Sequence, residues 1–424
     1  MKKISFLLLL IVLVINLTAQ SVWDGNREAI RNGSGTEDDP YLIENAQQLA
    51  WFVYTINWDY ATWTNGKYFL LTTDIDLNGS RDNQWIPIGA GVSVLSTKGF
   101  NGVFDGGFHK ITGLYIDDHN PILFASQLWY GTKSAAFFAK TGYDAIVKNL
   151  YVEGSINIPN NKWAAGISCE HGSYEYCVSN VDIESTALAG GIVTSGRRVS
   201  CSANLGNVKG PQYTGGIMSR GTSICIENCY NVGRIEADDY VGGIIGYGGR
   251  LVKNCYNVGE IAYGENAEHK GGIAGFCVEN VVVNSYYLED CIAESNEYGE
   301  PVSADFMRSM EFVNLLNNDT DVWIMDTINE NDGYPIFGNT PFGIEEILSE
   351  FKDLVVIYPN PAVDYVNIVG DVVSCDVFDL VGKRVFSIST NINKIAVSDL
   401  PSGIYLMSFF TKNGTKITKK IVKQ

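Results

Sequence analysis

Proline is scarce in this sequence, and basic charge is outnumbered. Only 11 prolines stand among 424 residues, against 44 glycines, which suits many tight turns and few rigid linkers. Lys and Arg total 30 against 48 Asp and Glu, a net charge of −18. Phosphate binding needs a basic face, so the charge argues against nucleic acid as a partner. No stretch after residue 20 is apolar enough to span a bilayer. HExxH, GxSxG and CxxC are all absent, and His109, His119, His171 and His269 share no spacing. These absences leave no catalytic or zinc motif to build on.

What is present is a repeat. From Gly190 to Tyr287 the chain reads GGIVTSGRRVSCSANLGNV, GGIMSRGTSICIENCYNVGRI, GGIIGYGGRLVKNCYNVGEI and GGIAGFCVENVVVNSYYLED, with a fainter copy at Ala165-Gly166-Ile167. The second glycines, Gly166, Gly191, Gly216, Gly243 and Gly272, are 25, 25, 27 and 29 residues apart. A period of this size means a solenoid or a propeller. Short period-two segments upstream fit coils of the same kind: Tyr68–Leu71, Asp74–Leu77, Trp85–Gly89, Phe100–Gly107 and Ile111–Ile116. Val147-Lys148-Asn149-Leu150-Tyr151-Val152 copies the repeat with Leu150 in the Cys slot.

Nine cysteines are an odd count for a disulfide framework. Cys177, Cys201, Cys229 and Cys255 are read as one slot of successive coils, which stacks them as an inward thiol ladder. Neighbours on a strand point to opposite faces, so Tyr230, Tyr256 and Tyr286 form an outward row. That row either stacks on a sugar ligand or merely braces the coils.

The ends read differently. Lys2 and Lys3, the apolar run Phe6–Leu17 and Ala19 form a secretory signal peptide over 1–19, with no Cys after it to carry a lipid. Asn45 with Gln48 signals a helix start, and Leu49, Phe52, Val53 and Ile56 give it one apolar face. Such a helix would cover the first coil. Ala304–Asn317 reads as a second helix, with Phe306, Met310, Val313, Leu315 and Leu316 on its face. Residues 353–424 hold six or seven short strands, a small antiparallel sandwich. Phe351–Gln424 carries nine Lys and Arg against six Asp, a balance of +3 that leaves −21 on the rest.

Two resemblances rest on these residues. Gly-Gly-Ile followed by Asn-Cys-Tyr-Asn-Val-Gly resembles the GLUG repeat of bacterial surface and secreted proteins, over roughly residues 30–338. Pro359-Asn360-Pro361, Gly382-Lys383, Gly403 with Tyr405, and Lys419-Lys420 resemble the C-terminal sorting domain of type IX secretion, a Bacteroidetes system. The second resemblance implies interaction with the type IX machinery, passage across the outer membrane, removal of this domain, and surface attachment or release.

The expected fold is all-β: a right-handed parallel β-helix with helical caps, then an antiparallel β-sandwich. The expected divisions are signal peptide 1–19, N-terminal cap and first coils 20–135, repeat coils 136–287, C-terminal cap 288–338, linker 339–352 and sorting domain 353–424. The expected role is non-catalytic, adhesin-like binding of an extracellular polysaccharide or a host or matrix protein, secreted or on the outer surface. The alternative is a polysaccharide lyase or hydrolase on the same scaffold, which would need converging carboxylates. No catalytic, cofactor or metal residue is assigned. Asp74-Ile75-Asp76-Leu77-Asn78-Gly79 imitates half an EF-hand loop, but its twelfth position is Trp85 where Glu is needed. A weak Ca²⁺ site elsewhere on the acidic body, for instance at Asp238-Asp239, stays open.

Overall fold

The computed structural model describes residues 20–90, 99–120, 134–159, 162–221, 224–278, 282–318, 320–327, 329–338, 356–358, 362–369, 372–379, 382–389, 394–411 and 416–423. The expected signal peptide, the linker 339–352 and the Pro359-Asn360-Pro361 motif lie outside these residues. The chain divides into two compact units, Met1–Thr340 and Pro341–Gln424.

The first unit is a parallel β-solenoid of about eight turns. One strand column climbs through Tyr41–Ile43, Tyr68–Leu71, Val103–Asp105, Ile146–Ile158, Ser173–Ser185, Arg198–Ser200, Cys225–Glu227, Leu251–Lys253 and Val282–Val283, each parallel to the next. Period-two alternation turns Phe69, Phe104, Val147, Tyr174, Val199, Ile226 and Val252 inward, and all are buried. The Gly-Gly segments form a second column: Trp163–Ala165, Ala189–Gly190, Gln212–Gly215, Asp239–Gly242 and Lys270–Gly271. A third, shorter column holds Met218–Gly221, Ile245–Gly248 and Ala274–Phe276.

The repeat motif has a mechanical cause. Asn204, Asn231 and Asn257 pair in register, fully buried. Asn204 Nδ2 donates to Asn231 Oδ1 and Asn231 Nδ2 to Asn257 Oδ1, each at 2.7 Å. The same amides also donate to the carbonyls of Gly206, Gly233 and Gly259 two residues on. Each amide lies against the second glycine of a Gly-Gly pair. A Cβ on Gly216 would stand 2.5 Å from Asn231 Cγ, and one on Gly243 2.3 Å from Asn257 Cγ. The distant Gly-Gly and Asn-Val-Gly signatures are therefore two halves of one contact.

The thiol ladder needs one correction. Val199 pairs with Tyr174 and Ile226, which puts Ser202, not Cys201, between Cys177 and Cys229. Ser202 Oγ accepts from Cys177 N–H at 3.0 Å, while Cys229 N–H reaches Cys255 Sγ at 3.4 Å. Cys201 instead takes the preceding left-handed position (φ +47°), which Asn228 and Asn254 fill in later coils. In the Cys201 coil a serine fills the inward slot and the cysteine stands one residue before it, so matching by residue type misplaces the slot by one.

The helix α1 (Ala46–Tyr54) begins at Asn45, whose Oδ1 accepts from Gln48 N–H at 2.8 Å. Leu49, Phe52, Val53 and Ile56 are buried, and the Phe52 ring lies 4.8 Å from that of Phe69. At the other end Glu300–Val302 pairs with Tyr286–Leu288 as a last rung. The expected single helix is two: α2 (Ala304–Met307) and α3 (Met310–Leu316). Ser309 restarts the helix by accepting from Phe312 N–H at 3.2 Å. That break buries Met307 and Phe312 and leaves Met310 56% exposed, contrary to the face read from a continuous helix.

The second unit pairs Val356–Tyr358, Tyr365–Val369 and Lys394–Ala396 in one antiparallel sheet. Val372–Asp379, Arg384–Ile388, Gly403–Thr411 and Lys416–Lys423 form another. Val366, Cys375, Val377, Ile395, Met407, Phe409 and Ile421 make its core.

Candidate functional site

The tyrosine row proposed as ligand-facing is buried. Tyr230, Tyr256 and Tyr286 point away from the coil interior, yet they are only 7%, 0% and 6% exposed. The described residues of 303–318, 320–327 and 329–337 pack along the side of the solenoid and cover them. Tyr230 and Tyr256 stack at 5.1 Å; Trp323 lies 5.4 Å from Tyr256, Phe337 5.2 Å from Tyr230 and Phe312 5.4 Å from Tyr286. Asn331 Nδ2 donates to Tyr256 Oη at 2.7 Å, and that hydroxyl donates to the Pro335 carbonyl at 2.5 Å. Burial drives the Tyr256 pKa well up. The alternation rule placed the rings on the right face but says nothing of what packs over it.

A different aromatic row stays open. Trp163, Tyr213, Tyr240 and His269 each stand three residues before the second glycine of a pair, and Arg220, Tyr247 and Phe276 each stand four after it. All are partly or well exposed at the corner between the second and third strand columns. Tyr213 and Tyr240 lie 4.7 Å apart, Tyr240 and His269 stack at 4.0 Å, and Tyr247 and Phe276 stack at 5.6 Å. The two stacks meet edge to face: Tyr240 and Tyr247 rings are 5.6 Å apart at 72°. The Arg220 guanidinium lies 5.9 Å from the Tyr213 ring and 6.0 Å from that of Trp163. Asp239 fixes the His269 end, with Oδ2 3.2 Å from the ring nitrogen and Oδ1 accepting from His269 N–H at 2.8 Å. Burial alone would raise the Asp239 pKa, but these hydrogen bonds bring it below the ordinary carboxylate value. The spacing around each Gly-Gly was visible in the repeats and is the signal that would have found this corner.

Two adjoining cavities of about 450 and 410 Å³ share Glu184 and Lys209. Glu184 and Glu236 in their lining are tied to cations. Lys209 Nζ lies 3.6 Å from Glu184 and 3.4 Å from Glu236, and Arg234 lies 3.3 Å from Glu236 and 2.5 Å from Glu260. Asp74 is also engaged: its Oδ1 meets His109 Nδ1 at 3.0 Å and accepts from Lys110 N–H at 2.9 Å. The His109 hydrogen bond lowers its pKa. Ile75–Asp76 is a strand, with Ile75 and Leu77 buried, so the imitation EF-hand segment belongs to a coil. At the other acidic candidate, Asp239 is committed to His269 and Glu268 N–H, leaving Asp238 exposed beside it. Asp117, Asp118 and His119 cluster at the surface, where Arg81 also meets His119.

In the second unit, Gly382 takes φ +84° in a turn where Asp379 Oδ1 accepts from Lys383 N–H at 2.9 Å. Tyr405 is buried, its hydroxyl donating to the Pro401 carbonyl at 2.9 Å. Gly403 starts one strand, and Lys419 and Lys420 lie on its antiparallel partner.

Residues 356–424 match the secretion system C-terminal sorting domain. Part of the chain is similar to halomucin of Haloquadratum walsbyi, 22% identical over 39% of this chain and 2% of that protein. It is also similar to a "Gly-rich membrane protein" of Evansella cellulosilytica, 29% identical over 36% of this chain and 16% of that one. The chain thus spans a small part of the curated relatives it matches. The sorting tail marks it as a secreted protein, attached to the cell surface by way of type IX secretion.

Proposed function

We propose that this secreted cell-surface chain is a non-catalytic, adhesin-like binding protein that holds an extracellular protein partner at the aromatic corner. The observation that carries the reading is the contrast between two outward aromatic rows. One is sealed by Phe312, Trp323 and Phe337; the other, from Trp163 to Phe276, stays open. Tyr, Trp and Arg in one patch are the side chains that anchor protein interfaces. The rings of Tyr213, Tyr240 and His269 cover one another's faces, so they offer edges and hydroxyls. Sugar stacking would need a free face; a protein surface does not. The ion-paired carboxylates of Glu184, Glu236 and Glu260 support a role without acid–base chemistry. The repeats read as GLUG-like, supported by the coupling of three Gly-Gly pairs, at Gly191, Gly216 and Gly243, to an Asn.

The test is retention on an array of matrix proteins and polysaccharides, using the mature chain and a Tyr240→Ala/Phe276→Ala variant. Retention on a protein that drops at least tenfold in the variant supports the reading. Reproducible bond cleavage in any retained partner, or retention indifferent to the variant, sinks it.

A further inference from the structure

The two adjoining cavities form one groove along the solenoid axis that shares no lining residue with the aromatic corner. It follows one strand register, Ile116, Ile156, Ile183, Val208, Ile235 and Ile261, whose side chains are buried in the core beneath it. Five steps at about 4.8 Å make a groove about 24 Å long. Asn157, Glu184, Lys209 and Glu236 form an outward polar row in register that ends on Ala262, and Tyr115 and Tyr263 stand at the two ends. The structure assigns this groove, we infer, to an extended uncharged polysaccharide lying parallel to the axis.

Three observations select that occupant. First, charge: the lining carries Asp117, Asp182, Glu184, Glu236 and Asp238 against Lys209 and Arg234. The net negative lining disfavours polyanions, whether nucleic acid or acidic glycan. The two cations bridge Glu184, Glu236 and Glu260 on neighbouring coils, so this side of the groove offers a ladder of hydrogen-bonding groups. Asn207 Nδ2 donates to Asp182 Oδ1 at 3.0 Å and joins that ladder.

Second, the backbone: an extended peptide would bind by adding to a free strand edge. Here the strands run across the groove, and their N–H and C=O groups are spent on the coils above and below. No edge lies along the axis for a peptide to join. Third, the repeat: an extended hexose chain advances per residue by nearly the coil spacing. Successive sugars would therefore meet equivalent side chains, hydroxyls against the carboxylate and amide ladder, with Pro211, Ala237 and Ala262 as apolar floor between.

The assignment does not depend on the aromatic corner, and the test separates the two. Affinity electrophoresis of the full mature chain is run in gels containing soluble β-glucan, mannan or xylan, with polygalacturonate and heparin as anionic comparators. At least one neutral polymer should retard the protein and neither anionic polymer should do so more strongly. Asn207→Ala/Lys209→Ala should weaken the retardation at least tenfold, as should Asn157→Trp, which fills the groove from an exposed position. Tyr240→Ala/Phe276→Ala should leave it unchanged. Melting temperatures are measured for each; if the double variant melts early, Asn157→Trp alone decides. No neutral polymer retarding, an anionic preference, or wild-type retardation of a folded groove variant overturns the assignment. Cleavage of the bound glycan would overturn the non-catalytic reading and leave the groove assignment standing.

Discussion

Replacing Asn231 by Ala tests whether the amide ladder holds the coils together. The side chain makes three buried hydrogen bonds: to the Gly233 carbonyl at 2.8 Å, to Asn257 Oδ1 at 2.7 Å, and from Asn204 Nδ2 at 2.7 Å. Each contributes about 0.5–1.5 kcal/mol net, and stranding a buried partner costs about 1–3 kcal/mol. The stranding is partial. Asn204 Nδ2 keeps the Gly206 carbonyl, while Asn257 Oδ1 keeps Gly259 N–H at 3.2 Å. The Gly233 carbonyl bears the main loss. The expected destabilisation is about 2–4 kcal/mol. Urea unfolding of the mature chain, followed by tryptophan fluorescence, reads it as a lower midpoint at unchanged slope. Asn157→Ala, at an exposed position, should stay within about 0.5 kcal/mol of wild type. If Asn231→Ala costs less than about 1 kcal/mol, the ladder is decoration and the Gly-Gly coupling must be explained by backbone packing alone.

The thiols should be inert in the native state. Burial pushes Cys177 up to about 12 and Cys229 well above its ordinary value. At pH 8 an aromatic disulfide reagent should label no more than the half-exposed Cys225, and all nine thiols should titrate in denaturant; rapid native labelling of several, or fewer than nine after unfolding, contradicts this. Asp74 carries a pH signature. Its folded pKa lies below the unfolded value because of His109, so its stabilisation is present above about pH 4 and is lost as pH falls through the folded pKa. Asp74→Asn should therefore melt below wild type at pH 7 and converge with it under acid conditions; a gap that persists at low pH refutes the linkage. Deleting residues 353–424 should leave the protein in the periplasm, and normal surface display of the truncated chain would refute the sorting role.

Much of the solenoid was legible because its signals are local. Period-two strands, the Asn45 cap and the 25- to 29-residue steps between glycines each reflect one coil and its neighbour. Errors arose where register departs from residue type or where distant chain returns. Cys201 does not fill the inward slot because strand pairing, not residue type, sets the register, and Ser202 occupies the slot in that coil. The Tyr230 row was read as open because nothing local announces that Trp323 and Phe337 fold back over it. The ladder Asn recurs in three of the four clear copies, with Tyr287 in its place in the last, yet its meaning needs the contact with Gly216. The open corner carries a weaker signal: Tyr240, His269, Tyr247 and Phe276 keep fixed offsets from each Gly-Gly, but the residue type changes from coil to coil.

The central claim is that contact is made at the aromatic corner, without chemistry. Hydrogen–deuterium exchange of the mature chain, with and without a partner retained on the array, measures it most directly. The account predicts slower exchange at Gln212–Gly215, Asp239–Gly248 and Ala274–Phe276, with the partner recovered intact. Protection confined to other coils, faster exchange across 303–337 as the Tyr256 row is uncovered, or a cleaved partner would contradict it.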